Sequence, residues 1–276
     1  MQSFLKECRW GRFLLLKGDM ISQHVDMYGE WAEAELQLFK YLLQANENCN
    51  EVGSNIGMHS IPLSMICQSG TVTCYEPQRP IFHMLCANSA LNNRLNIVAK
   101  QCAVGEQPAQ IDIETSSYDK PWNYGSFSID AGFSSEKTFN QKTQKETVNI
   151  VTLDTDVESQ TKISVLKIDA EGSELKVLCG ARKLIKRDRP DIFVEANSAE
   201  SIISIINELS QYEYEGYWFF SSRFRPDNFN FSSYNVGGFD RNIIFRDKNK
   251  PSLYGKLKPF TGINDTDIPI LTCFKF

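Results

Sequence analysis

The stretch Glu51-Val-Gly-Ser-Asn-Ile-Gly57 constrains this chain more than any other. A short mixed run, Asn48–Val52, enters it, and a helical pattern over 58–67 leaves it. Two glycines four apart permit positive φ and let a ligand come close to the backbone. The start of the following helix offers unpaired N–H groups and a partial positive charge. The pattern predicts a strand–turn–helix unit that forms the floor of a nucleotide-like cofactor site. Glu51, Gly53, Ser54, Asn55, Ile56 and Gly57 are its candidate contacts.

The chain around this unit alternates strand and helix patterns. Before it, residues 12–16 and 20–25 flank a Lys17-Gly-Asp turn and read as a β-hairpin, and 29–43 has helical spacing. After it come strands at 71–75, 95–101 and 109–114, with a helix at 80–91 between the first two. Residues 115–145 are polar, with scattered aromatics and no sustained period, and a loop of this length is usually functional or mobile. Strands at 147–153 and 163–169 follow. A helix at 173–186 with Ser173 as N-cap comes next, then strand Asp191–Glu195, a helix at 198–209, and strands at 212–220 and 242–245. Such alternation predicts an α/β fold with a mostly parallel central sheet and helices on both faces. One domain is expected over 1–276: an N-terminal hairpin and helix (1–45), a cofactor-binding core (46–220), and a C-terminal strand and tail (221–276).

Ligands in such sheets sit beyond the carboxyl ends of the strands, near a reversal of strand order. The residues just after the strands carry the chemistry expected there. After the second core strand, Glu76 is placed to accept hydrogen bonds from a ribose diol, with Pro77 beside it; the plainer alternative is an exposed acid at a helix start. After the third, Gln101, Cys102 and Ala103 are candidates for an adenine pocket. After the fourth comes Lys167-Ile-Asp-Ala-Glu-Gly-Ser-Glu174, and after the fifth Glu195-Ala-Asn197. Lys167, Asp169, Glu171 and Glu195 are the candidate catalytic residues, and Asp169 also faces the cofactor. Asp169, Glu195 and Asn197 offer hard oxygen ligands that suit Mg²⁺; alternatively the acids orient an acceptor while Lys167 neutralises them.

The turn is not G-x-G-x-x-G, because Asn55 stands in the middle position, and no P-loop lysine follows. An acid ahead of the first glycine would repel a pyrophosphate and suits an ammonium group. The site therefore favours S-adenosylmethionine over NAD. Net charge −5 and a pI near 5.4 argue against a nucleic-acid surface. The basic run 182–189 reads as the solvated end of a helix. Eight cysteines form no C-x-x-C pair and no zinc spacing, which predicts reduced thiols and a cytoplasmic location. The apolar run 13–16 is too short for a signal core or a membrane span.

These runs together resemble the FkbM family of S-adenosylmethionine-dependent methyltransferases. The resemblance is carried by Glu-Val-Gly-Ser-Asn-Ile-Gly-Met-His-Ser, Tyr-Glu-Pro, Leu-Lys-Ile-Asp-Ala-Glu-Gly-Ser-Glu and Asp-Ile-Phe-Val-Glu, in the family's order, over about residues 29–197. Gly29-Glu-Trp-Ala-Glu33 and Thr152-Leu-Asp154 add to it. The family usually has Asp where this chain has Glu51. The resemblance implies a class I, Rossmann-like fold and O-methylation of a hydroxyl on a sugar, glycolipid or small natural product. Such an acceptor needs a general base or a metal. Two rivals are a nucleic-acid methyltransferase and a non-catalytic S-adenosylmethionine-fold binding protein. Against the first, Asp-Ala-Glu-Gly stands where amino-methylating enzymes carry Asn/Asp-Pro-Pro-Tyr and cytosine enzymes Pro-Cys. An NAD-linked oxidoreductase is disfavoured by the turn. The 115–145 segment, with Trp122 and Tyr124, is a candidate lid or acceptor platform, and His59 reads as a packing or capping residue.

Overall fold

The computed structural model describes residues 1–133, 138–196 and 198–275. The chain opens on an antiparallel hairpin of β1 (Ser3–Cys8) and β2 (Gly11–Leu16), paired from Ser3 with Leu16 to Cys8 with Gly11. The expected pairing of 12–16 with 20–25 does not form. Residues 20–28 are instead helix α1 (Met20–Tyr28), because Asp19 caps it: Oδ2 accepts from the Ser22 N–H at 2.8 Å. Gly29 ends that helix at φ 70° and donates to the Val25 carbonyl. Helix α2 (Glu33–Leu42) follows and buries Ala34, Leu38 and Phe39.

Three parallel strands then step outward: β3 (Asn48–Val52), β4 (Val72–Tyr75) and β5 (Ile97–Lys100), linked by α3 (Ser60–Ile66) and α4 (Arg79–Leu91). A separate small sheet follows, built from β6 (Ala103–Val104), β7 (Ala109–Thr115) and β8 (Gln144–Val151). Through α5 (Leu153–Asp156) the chain returns to β9 (Ile163–Ile168), on the other side of β3. Helices α6 (Glu174–Cys179) and α7 (Arg182–Asp188) lead to β10 (Asp191–Glu195), and α8 (Ala199–Leu209) leads to β11 (Tyr214–Ser222). Strand β12 (Phe239–Asp247) inserts antiparallel between β10 and β11. The short β13 (Lys258–Pro259) and β14 (Ile270–Leu271) both pair with β11. The main sheet runs β13-β11-β12-β10-β9-β3-β4-β5. Strand order reverses between β3 and β9, so the crevice beyond their carboxyl ends is the switch point.

Two further expectations change. The helix expected at 173–186 is two helices, broken at Gly180, where an added Cβ would collide with the Gly105 carbonyl oxygen. Ser173 makes no side-chain cap bond; Glu174 Oε1 instead accepts from the N–H groups of Ala170 and Gly172. In the 115–145 segment, Tyr118, Tyr124, Phe127 and Phe133 are buried against Leu15, Val25 and Ile56, so this part shares a core with the hairpin, α1 and the glycine turn although it has no sequence period. Apolar clusters cover both faces of the main sheet, one around Leu166, Ile192 and Val177, the other around Phe39, Phe193 and Leu63. Among the described residues no helix is long and apolar enough to cross a membrane.

Candidate active site

The alternation of β3 puts Glu51 on the same face of the sheet as Cys49, and register puts Lys167 of β9 beside it. Both side chains are buried. Glu51 Oε2 accepts from Ser60 Oγ at 2.5 Å, and Oε1 lies 3.7 Å from Lys167 Nζ. Lys167 also reaches Asp169 Oδ2 at 3.3 Å. Burial works against the charge of Lys167, but Asp169, Glu51 and Glu35 outweigh it and hold the ammonium above the ordinary lysine range.

The glycine turn is wedged between strand ends. Gly53 has φ 80°, and an added Cβ would collide with the carbonyl oxygen of Asp169. The N–H groups of Gly53 and Ser54 both donate to the Tyr75 carbonyl, at 3.0 and 3.1 Å. Asn55 takes the left-handed conformation at φ 48°, and its N–H donates to Glu76 Oε2 at 3.0 Å. Glu76 Oε1 accepts from the Gln78 N–H at 2.9 Å. Glu76 is therefore a buried acid tied to the turn, where an exposed helix-start acid was the alternative. Burial pushes its pKa up to about 7, against the lowering effect of the two N–H donors. Each carboxylate oxygen keeps acceptor capacity for a further donor.

One cavity gathers most of the expected site. Gly53, Ser54, Asn55, Glu76 and Pro77 line it, with Cys102 and Ala103. Glu51, Lys167, Asp169, Glu171 and Glu195 line it as well. Ile56, Gly57 and Gln101 do not line it. Ile56 packs into the apolar cluster under the hairpin, Gly57 closes the turn against Leu85, and the Gln101 amide donates to Glu146 at 3.3 Å. Asp169, Glu171 and Glu195 bring carboxylate oxygens within 4.8 Å of one another, while Asn197 lies outside the described residues. An ammonium already sits against Asp169, so this acidic trio offers no argument for magnesium.

The cavity also has a side that sequence reasoning missed. Trp31 and Glu35 come to it from the α1–α2 region, His59 from the start of α3, and Arg223, Asp240 and Asn242 from the β11–β12 ends. Arg223 donates twice to Asp240 Oδ1, at 2.9 and 2.6 Å, and its guanidinium lies 5.6 Å from the Trp31 ring centroid. Burial raises the Asp240 pKa to about 6 although Arg223 opposes it. Glu35 Oε1 accepts from Ser221 Oγ at 2.6 Å and Asn242 Nδ2 at 3.0 Å, and Oε2 pairs with His59 Nε2 at 3.0 Å. His59 thus makes no cap bond and is a polar partner within the cavity. The sequence signal for Arg223 and Asp240 was a pair of opposite charges flanking a turn-rich stretch between two apolar strands; Trp31 and His59 lay within runs that carry the family resemblance but had no assigned place in the cavity, and Glu35 had no signal. Trp122 and Tyr124 do not line the cavity, whereas Asn123, Gly125, Phe127 and Ile129 of the same segment do.

A glycine turn at the switch point of this strand order, followed by an acid after the next strand, defines the Rossmann-like class I methyltransferase fold. Residues 51–216 match the methyltransferase FkbM domain, and the chain belongs to the FkbM methyltransferase family. Methyltransferase 1 of Beauveria bassiana (strain ARSEF 2860) is 25% identical over 141 residues, spanning 47% of this chain and 56% of that protein. The chain therefore matches little more than half the length of that relative. Among solved structures, the methyltransferase FkbM of Methylobacillus flagellatus KT is similar at TM-score 0.46 and 18% identity, over 75% of this chain and 47% of that one. TYW2 of M. jannaschii in complex with AdoMet is similar at TM-score 0.44 and 13% identity, over 89% and 86%.

Proposed function

We propose that this chain is an S-adenosylmethionine-dependent O-methyltransferase acting on a hydroxyl of a sugar, glycolipid or small natural product. The observation that carries the reading is a single cavity in which the Gly53 turn and Glu76 face Trp31, Arg223, Asp240 and Asn242. The first set fits the cofactor: Gly53 leaves no room for a side chain at the strand ends, and Glu76 is a buried acceptor for a ribose diol. Cys102 and Ala103 would flank the adenine. Asp169, with Glu171 and Glu195 near it, would face the ammonium. Glu51 is already engaged by Ser60 and Lys167, so its part is to fix Lys167 and the start of α3.

S-Adenosylmethionine supplies a methyl carbon on a positively charged sulfur. The chain supplies alignment, a dry wall and an acceptor for the hydroxyl proton. Trp31 offers an aromatic face for a ring, and Arg223 with Asp240 offers donors and acceptors to polar substituents. The many carboxylates lining the cavity disfavour a polyphosphate backbone, which weighs against a nucleic acid.

Calorimetry with S-adenosylhomocysteine should show binding, and NAD should not bind. Transfer of labelled methyl from S-adenosylmethionine should be seen on a panel of methyl glycosides and small hydroxylated metabolites. NAD binding without S-adenosylhomocysteine binding would sink the cofactor reading, and cofactor binding with methylation only of RNA or DNA would sink the acceptor reading.

A further inference from the structure

We propose that His59 is the general base of this site and that Glu35 is its positioning residue. The inference rests on the methyltransferase reading above and deepens it. Both side chains line the cavity that holds the Gly53 turn and Asp169, although they come from separate helices, α2 and the start of α3. Both are nearly closed to solvent, at 4% and 7% exposure, so the pair is a built feature.

The hydrogen bonds select the tautomer. Glu35 Oε1 takes two donors, Ser221 Oγ and Asn242 Nδ2, so this side chain serves as an acceptor in the cavity wall. Oε2 faces His59 Nε2 at 3.0 Å, and a carboxylate at that place accepts, so Nε2 carries the hydrogen. In the neutral ring Nδ1 then holds the lone pair. No described residue is hydrogen-bonded to Nδ1, and the ring edge packs against Phe39 at 6.2 Å and 80°, which holds its plane. An acid that orients an imidazole and supports its positive charge is the arrangement by which a weak hydroxyl nucleophile is activated.

The carboxylates at the strand ends are less suited to the task. Asp169 is paired with Lys167 at 3.3 Å, and that ammonium opposes its taking up a further proton. In the step, the acceptor O–H bond breaks and its proton goes to Nδ1. The oxygen lone pair forms the new C–O bond as the methyl C–S bond breaks, and sulfur keeps that electron pair. The imidazolium shares its Nε2 proton with Glu35 and later returns the Nδ1 proton to water.

The test has an arm that needs no acceptor. Histidine-selective ¹⁵N NMR of the whole chain with S-adenosylhomocysteine, near neutral pH, should show His59 protonated at Nε2 and bare at Nδ1, and Glu35→Gln should erase that preference. Protonation at Nδ1 in the wild type would overturn the proposal. In the second arm, His59→Ala should lower the turnover of methyl glycosides about 10²–10³-fold. Its dissociation constant for S-adenosylhomocysteine should stay within about twofold, which also reports that the variant is folded. Added imidazole should restore part of the rate. A His59→Ala variant that binds the cofactor product and turns over at the wild-type rate overturns the base alone. Failure of the wild type to bind S-adenosylhomocysteine overturns the reading beneath it. If no glycoside is methylated, the NMR arm decides.

Discussion

Gly53 is a position where backbone and neighbour together exclude every side chain. Its φ of 80° disfavours one, and the Asp169 carbonyl oxygen occupies the space a Cβ would need. Gly53→Ala should separate the ends of β3 and β9. We expect a loss of about 2–4 kcal/mol in denaturant unfolding, from backbone strain and overpacking, and at least about a tenfold loss of S-adenosylhomocysteine affinity by calorimetry. Glu76 carries a pH signature. Its folded-state pKa of about 7 lies above the ordinary value of 4.5, so the folded chain holds the proton more tightly than the unfolded one. The stability this contributes is fully present below pH 4.5 and is lost as pH rises through 7, by up to about 3 kcal/mol. Unfolding curves from about pH 5 to about pH 8 should show that decline in the wild type and a flatter profile in Glu76→Gln. If Glu76 holds the ribose diol as proposed, cofactor binding should run the other way and strengthen as pH rises through 7, where the carboxylate forms.

At the scale of elements, caps and close approaches overrode local pattern. Asp19 turned a β-like run into α1, and the contact between Gly180 and Gly105 divided one helical pattern into α6 and α7. The hairpin is fastened by Asn88 of α4, which is fully buried. Asn88 Oδ1 accepts from the Leu14 N–H at 2.6 Å, and Nδ2 donates to the carbonyls of Leu14 and Ile56 at 3.2 and 2.8 Å. One side chain thus joins β2, α4 and the glycine turn. Asn88→Ala strands these backbone groups away from water and should cost about 2–4 kcal/mol in denaturant unfolding. It should also weaken S-adenosylhomocysteine binding, because Ile56 lies within the turn. Loss of stability with unchanged affinity would show that the turn does not depend on this fastening.

For the molecule as a whole, the cavity is walled by parts far apart in the chain. Trp31, Phe127 and Arg223 meet across it. A ligand held there bridges the N-terminal segment, the core strands and the β11–β12 ends, so it should stabilise one cooperative unit. S-Adenosylhomocysteine at about a hundredfold its Kd should add about 2.7 kcal/mol. For a chain of this size that is a rise in Tm of roughly 5–10 °C, measured by calorimetric melting. A rise confined to one of two separate transitions would show that these parts do not unfold together.

Much of this protein is legible in its amino-acid sequence, because its cofactor half is local. Strand β3, the glycine turn and α3 are contiguous, and the period of β-branched and apolar residues marks β4, β9 and β10 close to where they lie. The acids after those strands follow from the rule that parallel strands present their carboxyl ends to one crevice. The opposite wall of the cavity is not legible, for a physical reason. Glu35 meets His59 across 24 residues, Ser221 across 186 and Asn242 across 207. No periodicity links such positions, and each alone looks like an ordinary buried or surface residue. That Lys167 neutralises the acids was one reading of the sequence, but only strand register puts this buried lysine between Glu51 and Asp169. Local chemistry therefore determined that the chain builds a strand–turn–helix cofactor cradle, and long-range packing alone decided which side chains face that cradle across the cavity.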